Sequence, residues 1–160
     1  MVNYSGQQQS PNAAFKTLTI IYFALLAGQL MFAAVVLSLL KKVFFSVQYS
    51  GDPLLYIVPV MAIGGIMAGD FLFKQQIEIA RKRDTLSSKL TVYQTAIIIR
   101  CALLEGASLF GIVATLLSGN LFFLMVSAFI ILYFLSFRPT KDKLKNLLQL
   151  TYEEELELGT

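Results

Sequence analysis

The sequence predicts an all-α integral membrane protein with four transmembrane helices and both termini cytoplasmic, on three observations. Of its 160 residues, 56% are hydrophobic and only 14% charged, whereas a soluble domain carries about 25% charged residues. The charged side chains leave uncharged runs at 17–40 and 106–137, longer than ordinary core helices and long enough to cross a bilayer. The basic residues also crowd into alternate connections, as topology signals do. Mean hydropathy is +0.68. Together these exclude a soluble enzyme domain, a disulfide scaffold and a disordered chain. With no histidine and a single cysteine, histidine catalysis, a histidine-based metal site and an intramolecular disulfide are excluded as well. No cofactor and no enzyme activity are expected.

The first span, Thr17 to Leu40, lies between Lys16 and Lys41 and has 24 residues, roughly 36 Å of helix. It is longer than the apolar part of a signal peptide and no basic cluster precedes it, so it is expected to be retained. The polar stretch Met1 to Asn12, with Gln7, Gln8 and Gln9, is expected to be disordered. The second span runs from Pro53 to Phe73, with proline at the helix start, where a missing N–H is harmless. The third covers about Thr91 to Leu117. The apolar run that follows is too long for one helix, and Ser118-Gly119-Asn120 is a turn signal inside it. The fourth span is therefore Leu121 to Phe137. Residues 1–138 thus form the membrane domain and 139–160 a cytoplasmic tail.

Four spans place the amino terminus, the middle connection and the tail on one side. That side holds ten basic residues, from Lys16 through the Arg81-Lys82-Arg83 cluster to Lys145, against Lys41 and Lys42 on the other. The positive-inside rule makes the basic side cytoplasmic. This bias also accounts for the net charge of +3, so nucleic acid is not expected as a partner. The expected setting is a lipid bilayer, specifically a bacterial inner (plasma) membrane. In the tail, Thr140 suits an N-cap and Leu144, Leu147, Leu148 and Leu150 fall largely on one face. That face fits either a docking helix for a cytoplasmic or membrane protein partner, or a helix lying on its own bundle.

Three charged residues fall inside spans: Asp70, Arg100 and Glu105. Charges there are costly and normally face the bundle with a partner. The midpoints of spans one to three lie near Gln29, Gly64 and Leu104. Counting along the helices places Asp70 about 9 Å and Arg100 about 7.5 Å to the cytoplasmic side of the centre, so these two are expected to form a structural ion pair. Glu105 has no cation at its own depth, and Arg100 lies some 140° around the helix from it. A carboxyl so placed is expected to be uncharged at neutral pH. Ala62, Gly65 and Gly69 have the spacing of a close-packing face, and with Cys101, Ala102, Gly106 and Ser108 they are expected to enclose the carboxyl. Gln29 and Ser108 could supply second ligands. Glu105 is then either a hydrogen-bond lock between helices or a reversible proton or cation site. Cys101 is expected to be a small packing residue, Tyr56 and Tyr93 interfacial anchors, and the 13 phenylalanines lipid-facing bulk. No phosphate loop, metal cluster or paired nucleophile and base is present.

The run Ala102-Leu103-Leu104-Glu105-Gly106-Ala107-Ser108-Leu109-Phe110-Gly111 resembles the second helix of the proteolipid c subunit of rotary ATP synthases. The loop Ile79-Ala80-Arg81-Lys82-Arg83-Asp84 is similar to that family's polar loop, and Gly64-Gly65 with Gly69 to its glycine-rich inner helix. The likeness covers about residues 57–118. It implies that Glu105 is the ion-carrying carboxyl and that the chain forms a ring or another homo-oligomer. The leading expectation is thus a small, oligomeric, non-enzymatic membrane subunit with a proton- or cation-binding carboxyl. The alternative is a structural or assembly protein that braces a larger membrane complex through its helices and tail.

Overall fold

The computed structural model describes residues 11–48 and 51–158, and among these all regular structure is helical. The helices are α1 (Pro11–Leu39), α2 (Leu54–Arg81), α3 (Leu86–Ser118), α4 (Leu121–Ser136), α5 (Lys141–Leu148) and α6 (Tyr152–Glu157). The stretch 1–10, including Gln7 to Gln9, lies outside the described residues, while Pro11 and Asn12 already belong to α1. Three helices are long and apolar enough to cross a membrane, and a fourth crossing counts if α4 and α5 are taken as one span bent by 76°. The 16 residues of α4 give only about 24 Å of helix against a hydrocarbon core of about 30 Å. The helices α2 and α3 extend well beyond the spans read from hydropathy. Their basic ends, through Arg81 and from Leu86, are polar extensions that hydropathy does not distinguish from loop.

Local chemistry sets each helix end. Asp52 Oδ1 accepts from Leu54 N at 2.9 Å, so it caps α2 together with Pro53. Thr85 caps α3 by accepting from Ser88 N, and Asn120 caps α4 by accepting from Phe122 N at 3.1 Å. Between α3 and α4, Gly119 sits at φ 74, a left-handed turn that returns its N–H to Thr115 O at 2.8 Å. A side chain at Gly119 would also meet Lys42 O, because the α1–α2 connection is fastened onto this turn. Phe44 N donates to Gly119 O and Leu121 N to Phe44 O. Asn120 adds a side-chain pair with the backbone of Ser46.

At the opposite end of the bundle, the starts of α1 and α5 lie together, with Lys141 Nζ donating to Asn12 Oδ1 at 2.9 Å. The central helix is α3, which packs against α1, α2 and α4. Its antiparallel register with α2 is constant: Gly69 faces Arg100, Gly65 faces Leu103 and Ala107, and Val58 reaches Gly111. The contacts at Gly65 and Gly69, with buried Ala62 between α2 and the core, show where the small residues are used. By contrast Gly64, Ala102 and Gly106 point outward along an apolar groove of about 440 Å³.

The tail folds back. Thr140 caps α5, Gln149 at φ 50 ends it, and Thr151 with Glu154 forms a capping box on α6. Leu144, Leu148 and Leu158 are buried in the main core, with Leu147 and Leu150 packed partly against it. The leucine face is therefore covered by the chain's own bundle. Two aromatic expectations are corrected. Tyr93 is buried at 1% exposure, and Phe73, Phe123 and Phe134 are core residues, because α3 is enclosed on three sides; Tyr56 is 62% exposed.

Candidate ion-binding site

The level of the site follows from hydrogen bonds between helices. Gln94 Nε2 donates to Ala14 O at 2.6 Å, which fixes α1 and α3 side by side. Gln29 is fifteen residues beyond Ala14 and Ser108 fourteen beyond Gln94, so the two lie within about 2 Å of one height. Ser127 on α4 donates from Oγ to Ser108 O at 2.9 Å and reaches Phe123 O at 3.1 Å. Tyr22, whose hydroxyl donates to Phe134 O at 2.8 Å, locks α1 to α4 in the matching register. Gln29, Ser108 and Ser127 thus form one polar layer across α1, α3 and α4, each with no exposure at all.

Two oxygens of this layer are sealed without a hydrogen-bond partner among the described residues: Gln29 Oε1 and Ser108 Oγ. Gln29 makes only a long bond from Nε2 to Leu25 O at 3.5 Å. A buried polar group left unsatisfied costs about 1–3 kcal/mol, so the layer is held at a cost in stability. Glu105 lies one turn away on α3, three residues before Ser108 and rotated from it by about 60°. Its side chain is half-buried and makes no hydrogen bond or ion pair among the described residues. It is not enclosed by the small residues of α2: those pack against Leu103, Ala107 and Arg100 on another face of α3. Eleven residues separate Glu105 from Gln94, three full helical turns, so Glu105 looks toward α1. No hydrogen bond joins Glu105 to Gln29 or Ser108 in this conformation, although all three border the same part of the bundle.

Asp70 and Arg100 come together. Arg100 Nη2 is 2.5 Å from Asp70 Oδ1, and Tyr133 on α4 donates its hydroxyl to Asp70 Oδ2 at 2.6 Å. The guanidinium is stacked between two rings, 4.7 Å from the centre of Phe73 and 3.3 Å from that of Phe137. This ties α2, α3 and α4 at one level. Sequence reasoning missed Ser127, Tyr133 and both rings. A lone serine in an apolar span was the available signal for Ser127; the position of Tyr133 depends on how α4 crosses α2. Cys101 is buried and free, and among the described residues no cluster of acidic, histidine or cysteine side chains could hold a metal. Comparison with protein-family models, with curated proteins and with solved structures finds no match to this chain.

Proposed function

We propose that the protein is a small, non-enzymatic membrane subunit in which Glu105 reversibly takes up a proton or a small cation from the membrane-facing seam of α1 and α3. The observation that carries this reading is an unpaired, half-buried carboxyl one turn from two sealed, unpartnered oxygens. A rotation of the Glu105 side chain toward the core lets its protonated oxygen donate to Gln29 Oε1, while the Ser108 hydroxyl donates to the carboxyl. Turned outward, the same group exchanges its proton. A lock between helices would call for a carboxyl already bonded to its neighbours, and Glu105 is not. The reading places the end of the bundle with the start of α1, the tail helices and ten basic residues in the cytoplasm. It also includes self-association along the outward groove of Gly64, Ala102 and Gly106, where small residues let helices of two copies approach.

The test is proton movement in sealed vesicles containing the purified chain. Glu105→Gln keeps the size and loses the titratable group, so it should abolish pH-driven proton uptake and flux while Asp84→Asn, in the basic loop, leaves them unchanged. Parental uptake in Glu105→Gln would refute the assignment.

A further inference from the structure

We propose that a cleft at the basic end of the bundle holds the phosphate of an anionic phospholipid. The cleft has a volume of about 360 Å³ and opens between α2, α3, the end of α4 and α5. Its polar lining comes from Tyr93, Arg100, Lys143 and Asn146, with Ser136, and its apolar lining from Phe73, Ile97 and Leu147 beside Phe137. Among the described residues no carboxylate lines it. Asp70 takes one end of the Arg100 fork, at Nη2, and Arg100 Nε is buried with no hydrogen-bond partner among the described residues. Among the described residues Lys143 donates only to neutral acceptors, the carbonyls of Ser136 at 2.9 Å and Arg138 at 3.4 Å. Its charge is therefore not compensated by an acid. Arg100, already paired with Asp70, and Lys143 line the cleft with the neutral polar side chains of Tyr93, Asn146 and Ser136, around a space larger than a phosphate alone requires.

The occupant is a lipid rather than a free anion because of where the cleft sits and how it is walled. It is level with the last turn of α4, where the apolar span gives way to Arg138 and the amphipathic α5. Headgroup phosphates lie at that height in a bilayer, and basic pockets between membrane helices take anionic headgroups. The apolar wall of Phe73, Ile97 and Leu147 suits the glycerol and first acyl carbons, which a free anion lacks. A net charge on the lipid matters: a zwitterionic headgroup brings its own cation toward Arg100 and Lys143.

The experiment is native mass spectrometry of the full-length, delipidated chain titrated with phosphatidylglycerol or phosphatidylcholine. One phosphatidylglycerol per chain should be retained in preference to phosphatidylcholine. Lys143→Gln should weaken it about fivefold, the effect of one basic residue at a membrane surface. Lys82→Gln, exposed and outside the cleft, should leave it unchanged. Since Lys143 also holds the end of α4, Asn146→Leu provides a second variant on the helix surface that should weaken retention without touching that cap. Equal binding of the two lipids, or equal losses in the Lys82 and Lys143 variants, would overturn the proposal in favour of general surface attraction. Displacement of the lipid by inorganic phosphate at matched concentration would overturn the lipid as occupant.

Discussion

Arg100 is held by three kinds of partner at once: the Asp70 carboxylate, the faces of Phe73 and Phe137, and, through Asp70, the Tyr133 hydroxyl. Removing one member of this part-buried pair strands the other charge, so Asp70→Asn and Arg100→Gln should each lower stability, by less than the ~3 kcal/mol of a fully buried pair. Tyr133→Phe removes one hydrogen bond to a charged acceptor and should cost about 1.5 kcal/mol. Exchanging the two, Asp70→Arg with Arg100→Asp, should cost less than the sum of the single changes because the pair couples. Denaturant unfolding in detergent reads all four, and additive damage in the exchange would contradict the pairing. The common depth of Asp70 and Arg100 is legible in the sequence because helical rise per residue is nearly constant. The rings and Tyr133 are not legible, since they arrive from a neighbouring helix whose crossing depends on the whole packing. The same limit applies to Glu105: its depth follows from counting, but its face toward α1 follows only from the Gln94–Ala14 bond.

Among the elements, α3 sets the fold because it touches α1, α2 and α4, and its small residues decide how closely they come. A Cβ at Gly111 would collide with Ser127 Oγ and lie 3.1 Å from Phe123 O, while one at Gly65 would lie 3.0 Å from Ala107 Cβ. Gly64 and Gly106 have open space instead. Gly111→Ala and Gly65→Ala should therefore destabilise the chain by about 1–3 kcal/mol through overpacking. Gly64→Leu and Gly106→Leu should spare unfolding stability and reduce the mass of the detergent-solubilised assembly toward one chain. Loss of fold in the outward pair, or an unchanged mass, would contradict this division of the glycines. The sequence shows the small-residue spacing of Ala62, Gly65 and Gly69, since the helical period is written in it. It does not show that Gly64 and Gly106 face outward while their neighbours face in, which depends on helix rotation. The helix ends are not legible in hydropathy, because polar turns of α2 and α3 continue past the apolar stretches.

On the scale of the molecule, the tail closes the basic end of the bundle. Lys89 Nζ is 2.6 Å from Glu154 Oε1, and Glu154 Oε2 also accepts from Thr151 N at 2.9 Å. Burial alone would push the Glu154 carboxyl up, but the hydrogen bonds and charge of Lys89, with those from Thr151, hold it below its ordinary value of 4.5. A carboxyl depressed in the folded state contributes stability that is present above the unfolded value and is lost as pH falls through the folded one. Docking of α5 and α6 should thus persist at neutral pH and loosen only below about pH 4.5. Hydrogen exchange of residues 141–158 should rise in that acid range in the parent and already at neutral pH in Lys89→Gln. Equal protection in both at neutral pH would contradict the latch. With the tail closing one end and the Phe44–Asn120 connection the other, the side of the bundle between α1 and α3 is the exchange route proposed for Glu105. A membrane-soluble carbodiimide reacts with protonated carboxyls in an apolar phase, so it tests this placement and its chemistry together. Modification should occur at Glu105, fall reversibly as pH is raised, and vanish in Glu105→Gln. A Glu105 that stays unmodified at every pH while the protein remains folded would contradict an exchangeable proton site at that carboxyl.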